Sequence, residues 1–339
     1  MNNEENDIER QELARRVGKN GDRILMEYFD DIGLANKTNN EINDLINRLR
    51  ICGVDIKKVF SECGRDSTLK TRVDRNQAIA IVFGFFREFG IDVSKLLKEG
   101  KKSNESGQTV YLSFNKGVKR NETTSPTFAG EDVHAYAKET GTLTDVYSLV
   151  HEISHTLYVQ NQFGEARMIL GEVIPQCMER MLDSYLIGLA ERKEVYMNVE
   201  CLKKDIIKRK ISTAIDRFRM TSRIAKGEYK FASDKAELTR YMLAQIYATQ
   251  LMEIDKSVRK QRIFDFMEAL KSNDIQKANN AFNMQIGKEN AKERDKYISN
   301  SIWNLQKDIL TFQEKEIPKE QTDRATRAIS KEDEKEPEM

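Results

Sequence analysis

Two of the three histidines in the chain, His151 and His155, lie four positions apart in the stretch VHEISHTLY, and Glu152 directly follows the first. On an α-helix, side chains four positions apart lie on one face, so both imidazoles can bind a single metal ion. The pair supplies half of the ligands of a tetrahedral zinc site. Glu152 lies about 100° further round the helix, where its carboxylate can reach a water on the metal. The spacing therefore predicts one zinc ion per chain and a general base beside it.

A catalytic zinc site has a third protein ligand and leaves the fourth position to water. No histidine follows His155, so a carboxylate is expected in the segment NQFGEARMILGEVIPQCMERMLDSYL. Glu165 is too close to His155 for the chain to turn back over the metal. Glu172 and Glu179 are two helical turns apart, and both can face the first helix. Spacing alone leaves these two residues open as the third ligand.

The elements that position these residues are predicted to be helices. Thr142 or Thr144 can cap the first one, and apolar residues such as Val146, Leu149 and Ile153 can bury it. We expect a helix that carries the histidines over residues 144–160 and a helix that carries the third ligand over residues 165–192.

The rest of the chain indicates a mainly α fold, because prolines stand only at positions 126, 175, 318 and 337. We expect a charged N-terminal helix or frayed segment over 1–20, a helical lobe over 21–105 and a catalytic region over 106–312. The catalytic region is predicted to begin with a small β-ribbon over 107–140 and to end in further helices. The segment 313–339 has almost no bulky apolar residues and is predicted to be a disordered charged tail.

The predicted ribbon rests on two stretches, TVYLSFN and VHAYAKE, in which apolar and polar residues alternate. His134 lies on the second stretch, outside the spaced pair, and is interpreted as an ordinary strand residue. An edge strand beside the metal helix can pair its backbone with an extended peptide.

Composition excludes several classes of function. The 56 basic and 55 acidic residues nearly cancel, so no overall charge attracts nucleic acid or an anionic membrane. The four cysteines lack the spacing of a zinc ribbon or redox motif and are expected to be free thiols. Without a signal-peptide pattern or an apolar stretch of about 18 residues, the protein is expected to be cytoplasmic.

The stretches GTLTDVYSLVHEISHTLY and GEVIPQCME together resemble the thimet oligopeptidase and oligoendopeptidase F family of zinc metallopeptidases. Members of that family carry HExxH and then a helix with the pattern Glu-x-x-Ser-x-x-x-Glu, whose first Glu binds zinc. The upstream AIAIVFGFFREFG and the later YATQLMEI and IFDFMEALKSND are also similar to its catalytic domain, so the likeness spans roughly residues 25 to 290.

The resemblance implies a multi-helix metallopeptidase catalytic domain with a small sheet beside the active-site helix. It implies that Glu172 is the third zinc ligand and that Glu179 is an outer-shell or structural group. Tyr241 and Tyr247, in ELTRYMLAQIYATQ, are the phenols that would stabilise the developing oxyanion. The expected substrate is a peptide or an unfolded protein.

The chain departs from the family pattern at three places. Pro175 stands where the family has Ser, and the segment between His155 and Glu172 is shorter, which leaves an alternative with Glu179 as ligand and Asp183 as its outer partner. The family's late histidine is absent, and Arg240 is the nearby cation that can substitute for it.

Two other functions remain open at this stage. One is a catalytically degenerate family member that acts as a zinc-binding or regulatory module, which the absent late histidine favours. The other is a helical interaction protein with a coincidental HEISH, which the 33% charged composition favours.

Overall fold

The computed structural model describes residues 33–63, 69–103, 109–117, 125–126, 133–161, 165–228, 232–284 and 291–314. The predicted N-terminal segment 1–20 lies outside the described residues, as does the predicted tail 313–339 apart from its first two positions.

The described part of the chain is mainly helical, which confirms the predicted fold class at that level, and it carries one small sheet. Within the described residues, the helices before the sheet are α1 (Leu34–Ile51), α2 (Ile56–Cys63), α3 (Arg75–Glu88) and α4 (Ser94–Glu99). Asp74 caps the start of helix α3, because its carboxylate accepts a hydrogen bond from the backbone N–H of Gln77 at 2.9 Å. Its apolar face is buried and packs against the helix that carries the histidines.

The sheet has the strand order β1-β2-β4-β3, with β1 Lys101–Ser103, β2 Thr109–Asn115, β3 Ser125–Pro126 and β4 Val133–Lys138. β2 and β4 are parallel, and the outer strands β1 and β3 pair antiparallel with them.

The predicted extent of the ribbon was wrong at its start, because β1 falls inside the predicted helical lobe 21–105. The sequence KKS has no alternating pattern. It forms a strand because the chain turns at Gly100, with φ of 70°, and β1 then pairs with β2. An alternating pattern does not predict whether two strands pair parallel or antiparallel, and the two longest strands, β2 and β4, pair parallel.

The two histidines lie on α5 (Leu143–His155), which continues as a 3-10 helix, Thr156–Asn161. The α-helix is therefore shorter than the predicted 144–160. Within the 3-10 segment, the backbone of Tyr158 leaves helical geometry altogether, with φ of −137° and ψ of 32°, so no continuous helix reaches residue 160.

The predicted third-ligand helix 165–192 is divided into α6 (Glu165–Leu170) and α7 (Val173–Glu191). Pro175 accounts for the break. A proline ring in a continuous helix clashes with the carbonyl four residues earlier, here that of Gly171, whereas proline is tolerated in a first turn. Helix α7 therefore begins just before Pro175, and Glu172 lies at its N-terminal boundary.

The C-terminal helices are α8 (Val199–Ala225), α9 (Ala232–Glu253), α10 (Lys256–Lys271), α11 (Ile275–Ala281) and α12 (Ala291–Glu314). Asn198, Asp255 and Asp274 cap three of them through side-chain oxygens that accept backbone N–H groups. Helices α7 and α9 pack together, and one continuous cluster of buried apolar residues joins them to α5 and the sheet. The four cysteines all lie in the described part of the chain and form no disulfide there.

Among the described residues, no helix combines the length and the apolar character needed to cross a membrane.

The start of α5 is fixed by Asp145, whose side chain is completely buried. One carboxylate oxygen accepts hydrogen bonds from the backbone N–H and the hydroxyl of Thr140, at 2.8 and 2.5 Å. The other accepts the backbone N–H of Gly141 at 2.9 Å. These bonds join the end of β4 to the first turn of α5 and so place the histidine helix against the sheet.

We predict that Asp145→Ala lowers the free energy of unfolding by about 2–4 kcal/mol, because buried donors lose a charged acceptor. Urea unfolding followed by circular dichroism measures the change. The control is Asp44→Ala on the exposed face of α1, which should change stability by less than about 0.5 kcal/mol. Equal effects of the two substitutions would contradict this account.

Candidate metal centre

Helix α5 holds the two histidines rigidly because most of its other side chains are buried. Thr142 caps the helix by accepting the backbone N–H of Thr144 at 3.3 Å, while Val146, Leu149 and Ile153 are fully buried. His151 and His155 therefore share the face turned toward α7, and their rings meet edge to face with centroids 4.9 Å apart.

The facing nitrogens of the two imidazoles, Nε2 of His151 and Nε2 of His155, are 3.2 Å apart. The carboxylate of Glu172 lies opposite them. Its Oε2 is 3.5 Å from Nε2 of His151, and its Oε1 is 3.6 Å from Nε2 of His155. One nitrogen from each histidine and one oxygen from Glu172 all lie within 4.8 Å of one another.

These three side chains could hold one metal ion. Two ligands at about 2.0–2.2 Å from a tetrahedral ion are separated by about 3.3–3.5 Å, close to the distances found between the three side chains. Oε2 of Glu172 is buried and has no hydrogen-bond partner among the described residues. A buried carboxylate oxygen without a donor is costly, and a cation at this point would satisfy it.

The break between α6 and α7 brings Glu172 to this position. The residue is only 4% exposed and precedes the first turn of α7. A carboxylate at a helix N-terminus is stabilised by the backbone N–H groups there. Arg240 on α9 lies on its other side, with Nη2 at 3.4 Å from Oε1.

The second nitrogen of each imidazole is also fixed. Nδ1 of His151 lies 2.9 Å from Oε1 of Glu179, and Nδ1 of His155 lies 3.3 Å from the hydroxyl of Tyr158. That hydroxyl donates its proton to the carbonyl of Gly171 at 2.5 Å, so it accepts from His155. With both Nδ1 atoms acting as donors, both Nε2 atoms face the space between the rings, and each presents a lone pair there when its imidazole is neutral.

Glu179 is itself held by Arg209 on α8, with Nη2 of the arginine 2.8 Å from Oε2. The guanidinium of Arg209 lies over the ring of Tyr147, 3.7 Å from its centroid, and the hydroxyl of Tyr147 donates to Asp183 at 2.6 Å. These contacts link α5, α7 and α8 and give Glu179 one orientation.

Burial and neighbouring charges separate the pKa values of the two histidines. Burial lowers the pKa of His155 to about 3, which keeps this imidazole neutral at pH 7. Burial also opposes a charge on His151, but its contacts with the carboxylates of Glu172 and Glu179 outweigh that effect and raise its pKa, so a proton and a metal ion would compete for its Nε2. Although burial disfavours the charge of Glu172, His155 and His151 lower its pKa below the usual range. The centre therefore favours positive charge between its three ligands.

The structure brings the carboxylate of Glu172 to Nε2 of both histidines and places Glu179 at Nδ1 of His151. The alternative with Glu179 as ligand and Asp183 as its outer partner does not fit. Glu179 contacts the nitrogen that points away from His155, and Asp183 is bound to Tyr147 and, at 3.4 Å, to Lys210.

Glu152 lies on α5, partly buried, directly after His151. His134 lies on β4, where its ring stacks on Tyr111 with centroids 4.9 Å apart, and it is not one of the three residues grouped around the candidate site.

Tyr247 requires a correction. Its side chain is completely buried, its hydroxyl donates to Asn279, and its ring packs against Phe266 and Phe282. Tyr247 therefore belongs to the core formed by α9, α10 and α11, and its hydroxyl is not available to a substrate. Tyr241 is partly exposed, and its ring lies near the guanidinium of Arg240, 5.8 Å from centroid to Cζ.

Three residues near the centre were not predicted from the sequence: Tyr158, Arg167 and Arg209. Tyr158 had a recognisable signal, because it lies three positions after His155 in the quoted motif. Arg167 and Arg209 had none, because charged helical residues are most often solvent-exposed and only tertiary packing brings these two inward.

Comparisons of the chain with protein-family models, with curated proteins and with solved structures gave no match.

We predict that Glu179→Gln weakens metal binding by about 10- to 100-fold, because His151 loses the charged partner that raises its basicity. Competition for Zn²⁺ against a chromophoric chelator measures the affinity. The matched control is Glu191→Gln, at the exposed end of the same helix, which should bind zinc as the unmodified protein does. An unchanged affinity in Glu179→Gln would exclude this supporting role.

Proposed function

We propose that the chain is a zinc-dependent metallo-oligopeptidase that hydrolyses peptide bonds and resembles the thimet oligopeptidase and oligoendopeptidase F family. The observation that carries the proposal is the cluster of Nε2 of His151, Nε2 of His155 and the buried carboxylate of Glu172. Two imidazoles and one carboxylate form a ligand set typical of catalytic zinc in peptidases, with the fourth position left to water.

Zinc is the proposed ion, one per chain. The same ligands also suit manganese and cobalt, and the availability of the metal usually decides between such ions. When bound, zinc lowers the pKa of a coordinated water toward about 7 and polarises the scissile carbonyl.

Glu152 is the proposed general base. It follows His151 on the same rigid helix, so its position relative to the ligands is fixed by the geometry of α5. Its carboxylate accepts the proton of the attacking water and then delivers it to the leaving amine, which departs as the peptide bond breaks. A protein that only stored or sensed zinc would have no use for a carboxylate at this position.

The other residues of the centre orient the ligands. Glu179 and Tyr158 hold the histidines with Nε2 directed inward, and Arg209 keeps Glu179 in place. The proposed substrate is a peptide or an unfolded protein. β4 packs against α5 and pairs with β2 on one side. On its other side the described part of β3 pairs only with Val133 and His134, so an extended backbone can pair with the rest of β4.

We predict that Glu152→Gln lowers kcat for a quenched fluorescent peptide by about 10²–10⁴-fold, because the general base is removed. Zinc affinity, measured by chelator competition, should not change. Equal peptidase rates in the two proteins would exclude the mechanism. A metal-loaded, folded protein without activity toward any peptide in a mixed library would favour the degenerate zinc-binding module, which the absence of a histidine after His155 also favours.

Tyr241 is the remaining candidate for a phenol that stabilises the oxyanion. We predict that Tyr241→Phe lowers kcat by about 10²–10³-fold, because one donor to the developing charge is lost. The matched control is Tyr247→Phe, which should lower thermal stability and leave kcat unchanged. If the two variants had the same kcat, Tyr241 would not be the donor.

A further inference from the structure

Arg167 on α6 is a buried cation whose hydrogen-bonding capacity is not filled. The residue is 9% exposed, and its Nη1 is buried with no acceptor among the described residues. Its guanidinium lies over the ring of Tyr158, 5.6 Å from the centroid. A ring face attracts a cation but accepts no full hydrogen bond, so a charged donor remains to be satisfied at this point.

Arg240 on α9 is a second cation near the same place. Its Nη2 is 3.4 Å from Oε1 of Glu172, and its side chain is 26% exposed, so it can be reached from solvent. The Tyr158 ring that Arg167 covers carries the hydroxyl that contacts His155 and the carbonyl of Gly171, so Arg167 lies beside the segment that leads to Glu172. One is therefore at the open side of the centre and the other at the buried side.

The negative charge of Glu172 attracts both arginines. Attraction by Glu172 opposes the lowering of the pKa of Arg167, and Glu172 also forms an ion pair with Arg240. A divalent ion bound by Glu172 would add positive charge beside the two guanidiniums, while Glu172 still carries only one negative charge. The excess positive charge favours the binding of an added anion.

We propose that Arg167 and Arg240 bind a carboxylate of the substrate beside the metal centre. This inference rests on the proposed peptidase function and narrows the substrate class to peptides that carry a carboxylate close to the scissile bond. Guanidinium groups favour carboxylates because the planar fork of N–H donors matches the two oxygens. The carboxylate belongs either to the C-terminus of the peptide or to an Asp or Glu side chain.

The experiment uses four quenched fluorescent peptides that are variants of one uncharged parent sequence. Two differ only at the C-terminus, which is a free acid or an amide. Two are amidated and differ only by Glu or Gln on the C-terminal side of the cleavage site. The kcat/KM of each is measured with the zinc-loaded protein, and the affinity of each is measured by fluorescence anisotropy with zinc-loaded Glu152→Gln, which does not turn it over.

We expect one acid to be preferred over its neutral partner by about 10- to 100-fold, both in affinity and in kcat/KM, as for a charged hydrogen bond. Preference in the first pair assigns the carboxylate to the C-terminus, and preference in the second pair assigns it to a side chain. Arg240→Gln and Arg167→Gln should each bring that ratio toward one. The control, Arg192→Gln, removes an exposed arginine at the end of α7 and should leave the ratio of acid to neutral peptide unchanged.

Equal affinities of both acids and their neutral partners would overturn the proposal. So would arginine variants that slow cleavage of all four peptides equally, because that result assigns the arginines to the oxyanion or to stability. Arg167→Lys and Arg240→Lys keep the positive charge but lose the planar guanidinium. If the Gln variants fail to fold, these Lys variants test the same contact, because they should lose the preference for the acid peptide. Failure of the proposed function gives a different result, since no peptide is then cleaved while the acid preference in Glu152→Gln is still measured.

Discussion

The centre depends on the position of His151 between two carboxylates of a single chain segment, Glu172 at its Nε2 and Glu179 at its Nδ1. The first can serve as a ligand and the second orients the ring, so one imidazole is fixed from both sides. This arrangement requires α5 and α7 to pack face to face, with Glu172 at the boundary of α7 and Glu179 two turns further along. A shift of α7 by one residue would remove both contacts at once.

The break before α7 is equally important, because it separates the roles of the two carboxylates. In an uninterrupted helix, Glu172 and Glu179 would present similar side chains to the same face of α5. Pro175 prevents that continuity, and Glu172 instead approaches the histidines from the boundary of the helix. Pro175 is thus part of how the third side chain reaches the centre.

Much of this could be predicted from the sequence because the signals are local. The spacing of His151 and His155, the apolar face of their helix and the alternation in TVYLSFN each depend on neighbouring residues only. The choice between Glu172 and Glu179 could not be made from spacing, since both satisfy it. Tyr247 has the same residue type as a catalytic phenol, and only its packing against Phe266 and Phe282 identifies it as part of the core.

The hydroxyl of Tyr158 contacts His155 and the carbonyl of Gly171, the residue immediately before Glu172. One oxygen atom therefore connects His155, at the end of α5, to the segment that carries Glu172. Zinc fingers collapse when a chelator takes their metal, since the ion is what holds them together. In this protein the hydroxyl of Tyr158 adds a contact of the polypeptide's own between the two segments, so the position of Glu172 relative to α5 is fixed in part by hydrogen bonds.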